Sequence, residues 1–185
     1  PGAIGKILGC SWVVDIFDLW LDHAAAMGYV EPGTLGYRYI WVLEWLAITK
    51  SDAVTVITET MAQSYVEKFA VSREKFTLVP FGVNKRLFTP TPEQTESTRI
   101  LYVGNMGDAH ALRPFIKAFE QLPSTYTLEF VGDGKRRDEL EDLTSKLGLS
   151  DQISFVGFVD RSEVASRLQQ SALSVVPLQD DLQLD

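Results

Sequence analysis

The chain has 185 residues, 45% of them hydrophobic and 23% charged, which is the composition of a folding domain rather than of a disordered tract. Its net charge of −8 at pH 7 argues against broad binding to a nucleic-acid backbone, which needs clustered Lys and Arg, and leaves room for a local basic pocket that takes one diphosphate. Cys10 is the one cysteine, so no intrachain disulfide forms and a reducing, cytoplasmic setting fits; with two histidines at His23 and His110 and no tight ligand spacing, no metal site is expected.

Taken in chain order, the opening stretch Pro1 to Val14 lacks a secretory layout, and no apolar run approaches the roughly 20 residues that span a bilayer. The Pro-Gly start and the polar stretch after Pro177 read as the ends of an internal fragment. Trp12 to Phe17 reads as a strand, Leu35 to Lys50 as a helix rich in Tyr and Trp, and Ala53 to Thr58 as a second strand. Thr60 to Phe69 follows as a helix and Phe76 to Val79 as a third strand, ending at Pro80-Phe-Gly-Val. The 35–50 helix has apolar residues around much of its circumference and only Arg38 and Lys50 as cations; packing in a core is favoured over rest on a membrane surface, which stays open. Thr89 to Thr98 is polar with two prolines and is the linker candidate, giving domains 1–92 and 93–185.

The second half is more regular. Arg99 to Val103 is a short apolar, β-rich run ended by Gly104, and Leu112, Phe115, Ile116, Phe119 and Leu122 mark one face of a helix. Thr127 to Val131 ends at Gly132, and a helix carrying Leu140, Leu143 and Leu147 is stopped by Gly148 at its C-terminus. Ile153 to Val156 ends at Gly157, Asp160 or Ser162 can cap a helix through Val164 and Leu168, and Leu173 to Val176 precedes Pro177. Four apolar strands joined by three short helical crossovers predict an α/β, Rossmann-like parallel sheet.

In such a sheet ligands bind outside the carboxyl ends of the strands, and this is where Gly104, Gly107, Gly132, Gly134 and Gly157 fall. Glycine lets backbone N–H groups approach a phosphate, and a helix N-terminus adds partial positive charge, so Gly104-Asn-Met-Gly107 ahead of the Leu112 helix is a candidate diphosphate cradle. Tight βα turns with no ligand account for the same glycines equally well. Arg113, Lys135, Arg136 and Arg137 stand near those strand ends; a solvated helix start is the favoured reading of 135–137, with a phosphate contact left open. The G-x-G-x-x-G spacing of dinucleotide-binding turns and the G-x-x-x-x-G-K-[ST] loop of NTPases are both lacking.

Ser51-Asp-Ala-Val-Thr-Val-Ile-Thr, Phe76-Thr-Leu-Val-Pro-Phe-Gly-Val-Asn and Phe88-Thr-Pro are similar to the passage closing the N-terminal domain of family 4 glycosyltransferases. Leu101-Tyr-Val-Gly-Asn-Met-Gly, Phe130-Val-Gly-Asp-Gly, Ile153-Ser-Phe-Val-Gly-Phe-Val and Leu173-Ser-Val-Val-Pro-Leu follow in that family's order, and Asp15-Ile-Phe-Asp-Leu-Trp20 resembles its segment before the interdomain cleft. The resemblance implies a GT-B fold, incomplete at both ends, and retaining transfer of a sugar from a nucleotide diphosphate sugar to a glycan or lipid-linked acceptor. It implies that Gly104, Asn105, Met106 and Gly107 meet the donor diphosphate and that Phe158 and Val159 lie near the base; His110 can add one hydrogen bond, Gly132 and Gly134 join the cradle by their strand-end position, and Asp18, the acceptor-side catalytic candidate, could equally cap a turn. It implies no cofactor and no metal, since cations and helix dipoles stabilise the departing diphosphate. The family usually has Arg where this chain has Asn105, Lys where it has His110, and in many members His where it has Phe17. The acidic Glu-x7-Glu donor-sugar motif is expected beyond Pro177; Asp180, Asp181 and Asp185 do not reproduce its spacing, so the 185-residue chain is expected not to turn over by itself. Two other readings remain: a non-catalytic nucleotide-binding or interaction domain of the same fold, and a different Rossmann enzyme such as a sugar epimerase.

Overall fold

Seven parallel strands, separated by helices or short turns, form two sheets in a computed structural model that describes residues 2–90 and 97–178. The chain divides into two compact units with the break between Gly82 and Val83. Residues 83–90 therefore group with the second unit, ahead of the 92/93 boundary drawn from composition, and 91–96 of the linker candidate lie outside the described residues.

The first unit carries β1 (Val13–Ile16), β2 (Ala53–Val56) and β3 (Phe76–Leu78) in the order β1-β2-β3, all parallel. Its helices are α1 (Gly2–Ile7), α2 (Trp20–Ala26), α3 (Leu35–Lys50) and α4 (Glu59–Phe69). Thr34 and Thr58 start α3 and α4 by accepting from the N–H groups of Tyr37 and Met61, which satisfies a donor that the helix leaves orphaned. The core gathers Ile48, Val54, Val56, Met61, Ala62, Tyr65, Phe69 and Phe76, with Trp41 and Trp45 packed against it. Helix α3 is thus a core helix on one side, as its aromatic content suggests. Its other side leaves Leu35, Tyr39, Val42, Leu43 and Leu46 exposed, a stripe at spacings of 4, 3, 1 and 3.

Polar joints tie the helices of this unit together. Lys68 Nζ on α4 donates to both Asp22 carboxylate oxygens at 3.0 Å and to Glu44 Oε2 at 2.8 Å, bridging α2 and α3, while Tyr65 Oη donates to Glu44 Oε1 at 3.0 Å. Burial lowers the Lys68 pKa, but the hydrogen bonds to Glu44 and Asp22 outweigh it and leave the ammonium above its usual range.

The second unit holds β4 (Arg99–Val103), β5 (Thr127–Val131), β6 (Ile153–Gly157) and β7 (Leu173–Val175), with α5 (Leu112–Phe119), α6 (Arg137–Lys146) and α7 (Arg161–Gln169) as crossovers. Every pairing is parallel and the sheet order is β6-β5-β4-β7. The chain moves outward from β4 through β5 to β6, then α7 carries it back across to β7 on the other side of β4. That reversal makes a topological switch point between β4 and β7. Leu101, Leu128 and Phe130 are fully buried, as strands covered on both faces require, and Leu112, Ile116, Phe119 and Leu140 bring the helices down onto the sheet. Gly148 follows α6 at φ +70°, the left-handed geometry its sequence position predicts. Asp160 is the N-cap of α7 by backbone geometry, without a capping bond from its side chain.

Candidate functional site

The turn that follows β4 stands at the β4/β7 switch point. Gly104 ends the strand, residues 105–111 carry the chain to α5, and His110 pairs in an antiparallel bridge with Leu178 while Ala111 N donates to Pro177 O at 2.9 Å. The loops that follow β4 and β7 are therefore fastened to each other. Tyr102 Oη donates to Asn105 O at 2.7 Å and fixes the start of the turn; burial raises the Tyr102 pKa.

The glycine turns of β4 and β5 lie against one another. Gly104 N donates to Val131 O at 3.0 Å, Met106 N to Asp133 O at 2.9 Å, Gly132 N to Gly157 O at 2.8 Å and Arg136 N to Met106 O at 3.1 Å. A Cβ on Gly132, whose φ is +125°, would stand well inside 3.0 Å of the Gly104 carbonyl oxygen, and one on Gly134 would stand 2.6 Å from the Met106 carbonyl. This narrows the expected cradle. The N–H groups of Gly104, Met106 and Gly132 are occupied by carbonyls of the protein, and Gly132 and Gly134 are glycine because backbone passes close to them. None of these bonds uses the amides of Gly107 or Ala109.

Among the residues picked from sequence, Asn105 is exposed and its side chain lies over Gly107 and Gly134. The Met106 side chain is fully buried in the core cluster under the turn and supports the loop from below. His110 stands edge-on to Tyr102, ring centroids 5.8 Å apart, and its Nδ1 is buried without a hydrogen-bond partner. Phe158, following β6, is 84% exposed, and Val159 beside it is half-buried. Gly157 has φ +85° and lies against the Arg137 guanidinium, which also donates to Phe155 O at 3.1 Å.

The cations near the turns are paired, which sequence inspection does not reveal. Arg113 on α5 donates to Glu139 at 2.5 Å, and Arg136 donates to Glu139 at 3.1 and 3.4 Å. Asp108, next after Gly107, pairs with Lys135 and lies 3.9 Å from Arg136 Nε. Hydrogen bonds from Arg113 and then Arg136 hold the Glu139 carboxyl below its usual range.

In the first unit, Asp18 is exposed just beyond the carboxyl end of β1. Phe17 and Phe81, which follow β1 and β3, stack with centroids 5.6 Å apart at 13° and are 50% and 72% exposed. Leu19, which has no capping oxygen, is the N-cap of α2. Asp180, Asp181 and Asp185 lie outside the described residues. Among the described residues no group of three or more His, Cys, Asp or Glu is placed to hold a metal ion, and no helix is long and apolar enough to cross a membrane.

Known proteins with this geometry point one way. The chain is 23% identical over 193 residues to an uncharacterized glycosyltransferase of Methanocaldococcus jannaschii, covering 90% of this chain and 50% of that one. Its fold matches sucrose-phosphate synthase from Thermosynechococcus elongatus with a TM-score of 0.72 at 20% identity, over 96% of this chain and 48% of that structure. It matches Anabaena HepE in complex with UDP-glucose with a TM-score of 0.73 at 16% identity, over 96% and 49%. These structures share the GT-B fold, and the chain spans about half the length of each relative. The family model described as glycosyl transferases group 1 matches residues 83–181, the whole second unit, and the chain belongs to that family.

Proposed function

We propose that the second unit binds the diphosphate of a nucleotide sugar at the β4/β7 switch point, and that the whole protein transfers that sugar, with retention, to a glycan or lipid-linked acceptor. The observation that carries this reading is the glycine turn of β4, seated where a reversal of strand order opens a crevice, in a chain of the glycosyl transferase group 1 family. A UDP sugar is the favoured donor, because a relative of the same fold is described with UDP-glucose.

In this reading the amides of Gly107, Asp108 and Ala109 and the N-terminus of α5 face the diphosphate, with Asn105 and His110 donating from the rim. These groups keep fixed dipoles aimed at the charge that builds on the leaving diphosphate. Phe158 and Val159 stand two strand spacings from β4, about 10 Å, and meet the base; the exposed ring supplies a stacking face. Asp18 is the acceptor-side carboxylate. No resident cofactor or metal is assigned. The protein is proposed to be cytoplasmic, and the apolar stripe of α3, with Arg38 beside it, to rest on the inner face of the membrane. Sedimentation with anionic vesicles that Tyr39→Asp abolishes supports that placement, and no sedimentation refutes it.

Isothermal titration of the chain with UDP, GDP, ADP and their sugar conjugates tests the donor reading. Saturable binding of one diphosphate, weakened by Gly107→Val, is the expected result; no binding of any of them contradicts it. A binding domain without transferase activity is the second reading, favoured by the pairing of its cations with Asp108 and Glu139. Nucleotide-sugar binding by the whole protein with no transfer would decide for it.

A further inference from the structure

We propose that Asp108 is an internal competitor of the donor diphosphate: its carboxylate holds Lys135 and Arg136 until the diphosphate takes its place. The inference rests on the donor reading above and adds to it a residue that sets how tightly nucleotide is held.

Arg113, Glu139, Arg136, Asp108 and Lys135 form a chain of alternating charge across the carboxyl ends of β4 and β5. Three cations face two acids, so the chain carries one positive charge net. The two acids are not equivalent. Glu139 belongs to α6, accepts from Arg113 at 2.5 Å and from Arg136 at 3.1 and 3.4 Å, and acts as framework between α5 and α6. Asp108 lies inside the glycine turn, one residue after Gly107, and reaches Arg136 only at 3.9 Å, beyond hydrogen-bond distance. Its main partner, Lys135, has a side chain 65% exposed on a flexible stem, so the ammonium can move to another anion without disturbing the fold.

A diphosphate beside Gly107 brings at least two negative charges to the place where Asp108 has one, and the Lys135 ammonium follows the larger charge. The displaced carboxylate then repels the ligand at close range. Both effects reduce affinity, and both speed departure of the product diphosphate, the species left when the sugar has gone. An acid set between a phosphate turn and its cations is otherwise a poor choice for a site that must attract an anion.

The 185-residue chain, titrated by calorimetry with UDP and separately with inorganic pyrophosphate, supplies the test. Asp108→Asn is expected to bind both about two- to fivefold more tightly than the unaltered chain, the range for releasing an exposed ion pair. Asp108→Ser repeats the comparison without the amide donors that Asn introduces. Lys135→Met is expected to weaken binding, and in that background Asp108→Asn should lose at least half of its gain. Affinity unchanged or reduced in both Asp108 variants overturns the inference while leaving the donor reading in place. Absence of UDP and pyrophosphate binding in every form overturns the donor reading and this inference together.

Discussion

Gly132→Ala puts the geometry of the two turns to a quantitative test. The substitution asks an L residue to hold φ +125° and places its Cβ against the Gly104 carbonyl, a backbone atom that cannot swing aside. A residue forced into that region costs about 1–3 kcal/mol. Moving the Gly104 turn away disturbs the Gly104–Val131 and Met106–Asp133 hydrogen bonds, each worth about 1 kcal/mol. The sum is about 3–5 kcal/mol, which for a unit of this size lowers Tm by roughly 15 °C or more. Two other glycines calibrate it. Gly148→Ala, at φ +70° with open space around it, should cost about 1 kcal/mol, and Gly107→Ala, whose Cβ meets only the Asn105 side chain at 3.0 Å, less than that. Thermal unfolding followed by circular dichroism reads all three. A Gly132→Ala chain melting within about 2 °C of the unaltered one, or a Gly107→Ala chain as damaged as Gly132→Ala, would refute the argument.

Lys68→Met should destabilise the first unit by about 1–2 kcal/mol, because Glu44, Asp22 and Tyr65 lose a shared cationic neighbour. The Lys68 pKa is raised on folding, so its contribution is fully present below the ordinary lysine value of 10.5 and is lost as pH rises through the folded value; urea melts should show that slope only above 10.5, and its absence in the variant. Glu139→Gln should act at the opposite end. A carboxyl lowered on folding stabilises above its ordinary 4.5 and loses that effect as pH falls through the folded value, so the variant's acid unfolding should be less steep below pH 4.5. Phe158→Ala should weaken UDP binding by about 1 kcal/mol, roughly fivefold, and leave pyrophosphate binding and Tm unchanged, since the ring is 84% exposed and packs no core. Equal loss for UDP and pyrophosphate in titration would remove Phe158 from the base site.

Much of the fold is legible from local pattern. Leu35 to Lys50, Arg99 to Val103 and Thr127 to Val131 are the elements their periodicity and β-content predict, because each is long or apolar enough to impose its own period. Helices α1 and α2 are not read from sequence. Gly2–Ile7 contains two glycines, and Trp20–Ala26 is two turns long with Leu19 in place of a capping side chain. The alternation of strands and helices also does not say on which side of β4 the chain sets β7, and the switch point depends on that choice.

At the site, local reading finds the positions but not what surrounds them. Gly132 and Gly134 look like phosphate-facing glycines, yet the close backbone lies 28 residues away in sequence, in the turn of β4. Met106 is counted with the loop because of its neighbours; an apolar side chain amid polar turn residues is the one signal that it points inward. Lys135 and Arg136 read as a solvated helix start, and nothing local reveals that Asp108 and Glu139 hold them. Non-local pairing is what the sequence conceals here, and it is what gives the turn its charge.

A nucleoside diphosphate bound on the turn after β4 would perturb the amides of that turn. Titrating the ¹⁵N-labelled chain with UDP and mapping backbone amide shifts tests it most directly. The largest shifts are expected at Asn105, Gly107, Asp108, Ala109 and His110, with a second group at Phe158 and Val159 and none along β3. Largest shifts elsewhere, or no shifts at saturating UDP, would contradict it.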